Sequence, residues 1–187
     1  MDDLPEIITV TKLDAARRHL TTAIRLWFHD GDPVSIHTLS YAAYEVVHVL
    51  SRKANRTDKL LFDNDYIKDE FRSDFNKLIK AAPNFFKHAD KDANSTLQFM
   101  PQFSEMFFLF TALGLETMGL KLGGEEKAFL IWLSIHNPQI MVDGAMKQFL
   151  EGFPVKTIDE VKLLPKPQFF KNVMLGHTRG LQVSLRK

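Results

Sequence analysis

Cysteine is absent from the 187-residue chain. That removes disulfides, thiolate metal ligands and cysteine nucleophiles together. Net charge is nearly absent as well, with 24 Lys and Arg against 23 Asp and Glu and a formal balance of +1. Such a balance gives no bulk pull toward nucleic acid, so a nucleic-acid partner needs a local patch, and DNA is not expected. No apolar run approaches the roughly 20 residues that span a bilayer. The longest candidate, Phe103 to Leu122, is interrupted by Ser104, Glu105, Glu116 and Lys121. The opening MDDLPEIITV is acidic and lacks the basic-then-apolar order of a signal peptide. There is no internal repeat, no low-complexity tract, no sustained strand-like alternation and no Gly-x-Ser-x-Gly. These absences predict a soluble cytoplasmic protein without a membrane partner.

Sixteen phenylalanines stand against three tyrosines, which predicts a large aromatic core and an apolar surface available for self-association. The length suits one domain, or one domain with an appendage. From Thr11 to His29 the spacing is helical, with Leu13, Ala16, Leu20, Ala23, Ile24 and Trp27 on one face. Asp14 and Arg18 can pair at i,i+4. In the turn Asp30-Gly31-Asp32-Pro33, Gly31 suits a left-handed cap, Asp32 an N-cap and Pro33 the first helical position. So short a link makes the first two helices antiparallel neighbours. A second helix covers Asp32 to Lys53. Ala54 to Tyr66 is a polar connector in which Leu60-Leu61-Phe62 folds back on the core.

Helical spacing resumes from Ile67 to Ala82, and Pro83 kinks or stops it. Phe103 to Leu122 reads as a central buried helix ended by Gly123-Gly124. Glu125 to His136 follows, with acids in its first turn, and Asn137-Pro138 opens a helix to Glu151. Beyond Phe153, Pro154, Pro165 and Pro167 punctuate the chain, Thr157-x-x-Glu160 reads as a capping box, and Gly176 to Lys187 is a basic, flexible end. The expected fold class is all-α: an antiparallel helical bundle of about six helices, the first four forming the bundle. The expected division is a bundle over residues 1–152 and an appendage over 153–187.

The second helix carries the chemistry. Ile36, Leu39, Ala42, Ala43, Val46, Val47, Val49 and Leu50 fall on one wide apolar side, while His37, Tyr41, Tyr44, Glu45, His48 and Arg52 gather on the other. Imidazole, phenol, carboxylate and guanidinium make directed hydrogen bonds even when half buried, so this stripe predicts a pocket wall or an interface. His37, Tyr41, Tyr44 and Arg52 are the candidate ligand-binding residues. Glu45-x-x-His48 has the i,i+3 spacing of the Glu-x-x-His element of carboxylate-bridged di-iron bundles. It makes Glu45 and His48 candidate ligands for a divalent metal, with His88, Asp90, Asp92 and Glu116 as further donors.

The opening helix with Ala15, Leu20 and Ala23, the Asp-containing turn, and Tyr41-Ala42-Ala43-Tyr44-Glu45 on the second helix resemble the start of HEPN domains, over roughly residues 13–92. In members that cut RNA, an arginine precedes a polar residue, three variable residues and a histidine. Asn84 and His88 match the last two at the right spacing, and Pro83 stands where the arginine would be. The resemblance implies a homodimer with Asn84 and His88 as catalytic residues at its seam, binding nucleotide or RNA. Ribonuclease activity then needs Lys80, Lys87 or Arg52 in place of the arginine. Arg18, Arg25 and His29 share a helical face that could touch phosphates. Arg179, Arg186 and Lys187 are the other basic grouping. Three readings follow: a HEPN-like dimer for nucleotide or RNA, a metal- or small-ligand-binding bundle built on the stripe, and a non-catalytic protein-interaction module whose stripe fixes helix register.

Overall fold

The computed structural model describes residues 7–54, 59–90, 93–140, 144, 148, 150–152 and 155–178, and every regular element among them is helical. In order these are α1 (Lys12–Phe28), α2 (Pro33–Lys53), α3 (Asp69–Lys87), α4 (Phe103–Thr117), α5 (Gly124–His136), α6 (Val155–Lys162) and α7 (Lys166–Thr178). Single 3-10 turns lie at Leu61–Asp63 and Pro138–Ile140. None of the helices among the described residues is long and apolar enough to cross a membrane.

α1 begins where Thr11 and Asp14 satisfy each other's backbone donors, a capping box with both bonds at 3.1 Å. Asp14 is thus committed to Thr11 more than to Arg18. The helix ends in a Schellman turn: Gly31 N–H reaches the Leu26 carbonyl at 2.8 Å and Asp30 N–H that of Trp27 at 3.3 Å. The left-handed residue is Asp30, at φ 50°, and not Gly31. Gly31 serves close approach instead, since a Cβ there would lie 3.1 Å from the Leu26 carbonyl oxygen. Asp32 then caps α2 by accepting from Ser35 N–H at 2.7 Å, with Pro33 in the first turn.

α2 is packed on two sides. Ile36, Ala43 and Val47 join the main core with α1 residues Ala16, Leu20, Ala23, Ile24 and Phe28. Tyr41 and Tyr44 join a second cluster with Leu60, Leu61, Phe62, Ile79 and Phe107. α4 closes on α2 through Gly114, where a Cβ would sit 2.6 Å from Val47 Cγ1 and 2.9 Å from Leu60 Cδ1. α4 ends at Thr117, earlier than the sequence pattern suggests, because Gly119 takes φ 76° and Leu120 N–H bonds the Leu115 carbonyl at 3.0 Å.

α3 packs on the second cluster through Ile79 and contributes nothing to the main core. It runs through Pro83 without stopping, leaving the Ile79 carbonyl without its usual helical donor. Of its residues, Ile79 and Pro83 are buried. The place expected for it in the main core goes to α5 and α7. Phe169 and Phe170 of α7 belong to that core, both stacked on Phe28, with Phe170 at 4.8 Å. The helices beyond residue 153 therefore share the core of the bundle. α6 starts at Val155, so Thr157 lies inside its first turn and does not cap it. The expected boundary residues 153–154, most of the helix expected up to Glu151, and the basic end from Arg179 onward lie outside the described residues.

Candidate functional site

The stripe on α2 is largely sealed inside the second cluster. His37, Tyr41, Tyr44 and His48 are all buried, while Glu45 and Arg52 are exposed. The reversal has a plain cause. Periodicity grouped these rings with the polar residues, but the Phe-rich elements around α2 supply aromatic partners for them. Val49, assigned to the apolar side, is left exposed.

His37 and His48 do not share a pocket. Eleven residues on one helix separate them by roughly 16 Å along the axis, and their partners differ. His37 Nδ1 lies 3.0 Å from Ser104 Oγ, with the rings of Phe86, Phe99 and Phe107 around it. Burial pushes its imidazole down to about 4. Its Nε2 is buried without a protein partner, beside a cavity of about 170 Å³ that Leu78, Phe99 and Phe103 also line. His48 Nε2 stands 3.3 Å from Asp63 Oδ2, within ion-pair reach but off hydrogen-bond alignment. Burial lowers the His48 imidazole, Asp63 pulls it back up, and Arg52 and Lys80 lower it further.

The tyrosines act structurally. Tyr44 Oη accepts from Phe62 N–H at 3.0 Å and so pins the 61–63 turn to α2. Tyr41 donates to Glu45 Oε1 at 3.1 Å, and the Lys87 ammonium lies over the Tyr41 ring at 4.8 Å. Burial raises both phenols. Glu45 is therefore turned to Tyr41 and His48 to Asp63. Among the described residues no three His, Asp or Glu side chains converge to hold a metal ion. Asp92 lies outside the described residues.

Asn84 and His88 sit at the C-terminal end of α3, both exposed. The His88 backbone N–H caps the helix on the Asn84 carbonyl at 3.1 Å. The expected phosphate face of α1 is divided by its contacts: Arg25 Nε donates to Glu125 Oε1 at 2.9 Å, and His29 Nδ1 lies 2.8 Å from the Arg25 carbonyl. Glu126, beside Glu125, is buried with one carboxyl oxygen unpartnered, and burial raises its carboxyl.

Sequence reasoning missed a cleft of about 310 Å³ where the α1–α2 turn meets the starts of α4 and α7. Trp27, Asp30, Glu105 and Lys166 are among its lining residues. The Lys166 ammonium lies over the Trp27 ring at 3.8 Å and 3.7 Å from Asp30 Oδ1. Burial raises the Glu105 carboxyl, against the opposing pull of Lys166 and the Trp27 indole N–H. No spacing rule links residues so far apart in the chain. The nearest signal was Glu105 itself, a glutamate in the first turn of a mostly apolar helix.

Compared with protein-family models, curated proteins and solved structures, the chain matches none of them.

Proposed function

We propose that this chain is a helical interaction module that pairs with a second copy of itself through α3. The observation that carries the reading is the outward apolar stripe of that helix. Phe71 and Leu78 are 58% and 65% exposed, and half-buried Phe75, Ala82 and Phe85 continue the line at alternating steps of four and three residues, Phe75 also packing against the second cluster. The stripe reads nearly the same from either end, because Phe71 lies as far before Leu78 as Phe85 lies after it. Two copies running in opposite directions would lay Leu78 on Leu78 and Phe71 on Phe85. Charge favours the same direction. Before Leu78, Asp69, Glu70 and Asp74 outnumber Arg72 and Lys77, and after it Lys80 and Lys87 stand without an acid on α3, so opposed copies bring unlike net charges together and parallel copies like ones. The buried α2 stripe fits this reading too, as a device that fixes helix register.

Sedimentation equilibrium tests the pairing. Wild type should sediment as a dimer, and Leu78→Asp as a monomer with an unchanged far-UV spectrum. A wild-type monomer up to the solubility limit would overturn it.

The HEPN-like resemblance supports a second reading, nucleotide or RNA bound beside the same seam. It draws on Asn84, Lys87 and His88 standing exposed together at one end of α3. It ranks second because a helix C-terminus presents carbonyls, whose negative end disfavours phosphate. Labelled single-stranded RNA, offered to wild type and to His88→Ala, decides it. Retention or cleavage lost in the variant supports the reading, and RNA neither held nor cut by wild type removes it.

A further inference from the structure

We propose that the cleft between the α1–α2 turn, the start of α4 and the start of α7 binds a small organic ammonium ion with a short apolar body, and that Lys166 is a tethered stand-in for it. The site does not depend on whether copies pair through α3. Its volume, about 310 Å³, lies at the lower end of the range for small-molecule pockets. Trp27, Ile36 and Pro101 give it apolar walls, and Asp30 and Glu105 bring carboxylates to it.

The protein already demonstrates what the cleft recognises. The Lys166 ammonium takes the face of an indole at 3.8 Å and a carboxylate at 3.7 Å, the two contacts by which aromatic sites hold alkylammonium groups. Two carboxylates face one ammonium, so the cleft retains a net negative charge with Lys166 in place. An anionic ligand would meet Asp30 and Glu105 with repulsion, and a neutral one would leave that charge uncompensated. Glu105 is half buried, and burial raises its carboxyl against the pull of Lys166 and the Trp27 indole N–H. Asp30 is held at φ 50°, a left-handed conformation that L residues adopt at a cost. That strained residue is the one facing Lys166. The Lys166 side chain is 30% exposed, so it can swing outward and give up the indole face to a soluble amine.

The indole N–H of Trp27 in ¹H–¹⁵N NMR spectra reports on the site directly. Wild-type protein is titrated with butylammonium, with 1-butanol as the neutral isostere and with pentanoate as the anionic one. Butylammonium should shift the Trp27 signal along a saturable curve, and the other two should leave it in place. Glu105→Gln should weaken butylammonium binding about tenfold, as loss of one partner of a partly buried charge pair does. Lys166→Met should strengthen it by removing the tethered competitor. No saturable shift with butylammonium, or an equal shift with 1-butanol, overturns the site. An affinity that Lys166→Met leaves unchanged or lowers overturns the stand-in role. The wild-type titration decides the site even if a variant fails to fold.

Discussion

Acidification should weaken the fold through His37, and by an amount that can be worked out. An unfolded histidine takes up a proton near pH 6.5, whereas buried His37 is pushed down to about 4. Between those values the unfolded chain binds a proton that the folded chain refuses. Unfolding is then driven by proton uptake, and stability falls as pH drops through that window. A gap of about 2.5 units at about 1.36 kcal/mol per unit gives roughly 3 kcal/mol. This contribution is fully present above pH 6.5 and lost by pH 4. His48, also lowered, acts with the same sign. Glu105 and Glu126, whose carboxyls are raised by burial, act with the opposite sign. The raw pH curve therefore mixes terms, and the diagnostic quantity is the difference between wild type and His37→Asn. Asparagine stays neutral and can keep a hydrogen bond to Ser104. Urea unfolding followed by circular dichroism from pH 8 to pH 4 measures that difference. At pH 8 the variant should be less stable, because the contacts with Phe86, Phe99 and Phe107 are lost. Toward pH 4 the gap should narrow by about 3 kcal/mol and can change sign. A gap constant within about 0.5 kcal/mol across the range would refute the reasoning.

Two further predictions concern how α2 is held. Tyr44→Phe removes the acceptor of the Phe62 N–H and leaves a buried donor unsatisfied. It should cost about 1–3 kcal/mol, read as a lower urea midpoint at constant m, with faster hydrogen exchange at Phe62. Gly114→Ala places a Cβ against Val47 and Leu60, an overpacking cost of about 1–3 kcal/mol set against a gain of about 1 kcal/mol in helix propensity. Combined with Val47→Ala it should cost less than the sum of the two single changes. Strict additivity in that cycle would mean that α2 and α4 do not meet at residue 114.

The termini of α1 and α2 were legible because they rest on local chemistry: Asp32 before Pro33, and a short turn after Trp27. The return of Leu60-Leu61-Phe62 to the core was legible as well, as an apolar triplet in a polar connector. The faces of α2 were not. Tyr and His are intermediate in burial preference, so a pattern over α2 alone could not reveal that Phe62, Phe99 and Phe107 would enclose them. α3 looked like a core helix because its Phe and Leu spacing is regular, yet regular spacing does not say what the face meets. Nor could the sequence bring Trp27, Glu105 and Lys166 together, since three helix ends meet there through packing alone. It did single out Asn84 and His88, and the structure places them at one exposed helix end.

The stacking of Phe169 and Phe170 on Phe28 has a consequence in time as well as in space. On a ribosome adding about 5–20 residues per second, roughly 140 residues separate the synthesis of Phe28 from that of its covering rings, an interval on the order of ten seconds. Throughout it the nascent helices carry a greasy seam with no lid, open to chaperones and to neighbouring chains. Native closure must wait for α7, so any cut upstream of residue 169 should yield a sticky fragment and not a smaller version of the same protein.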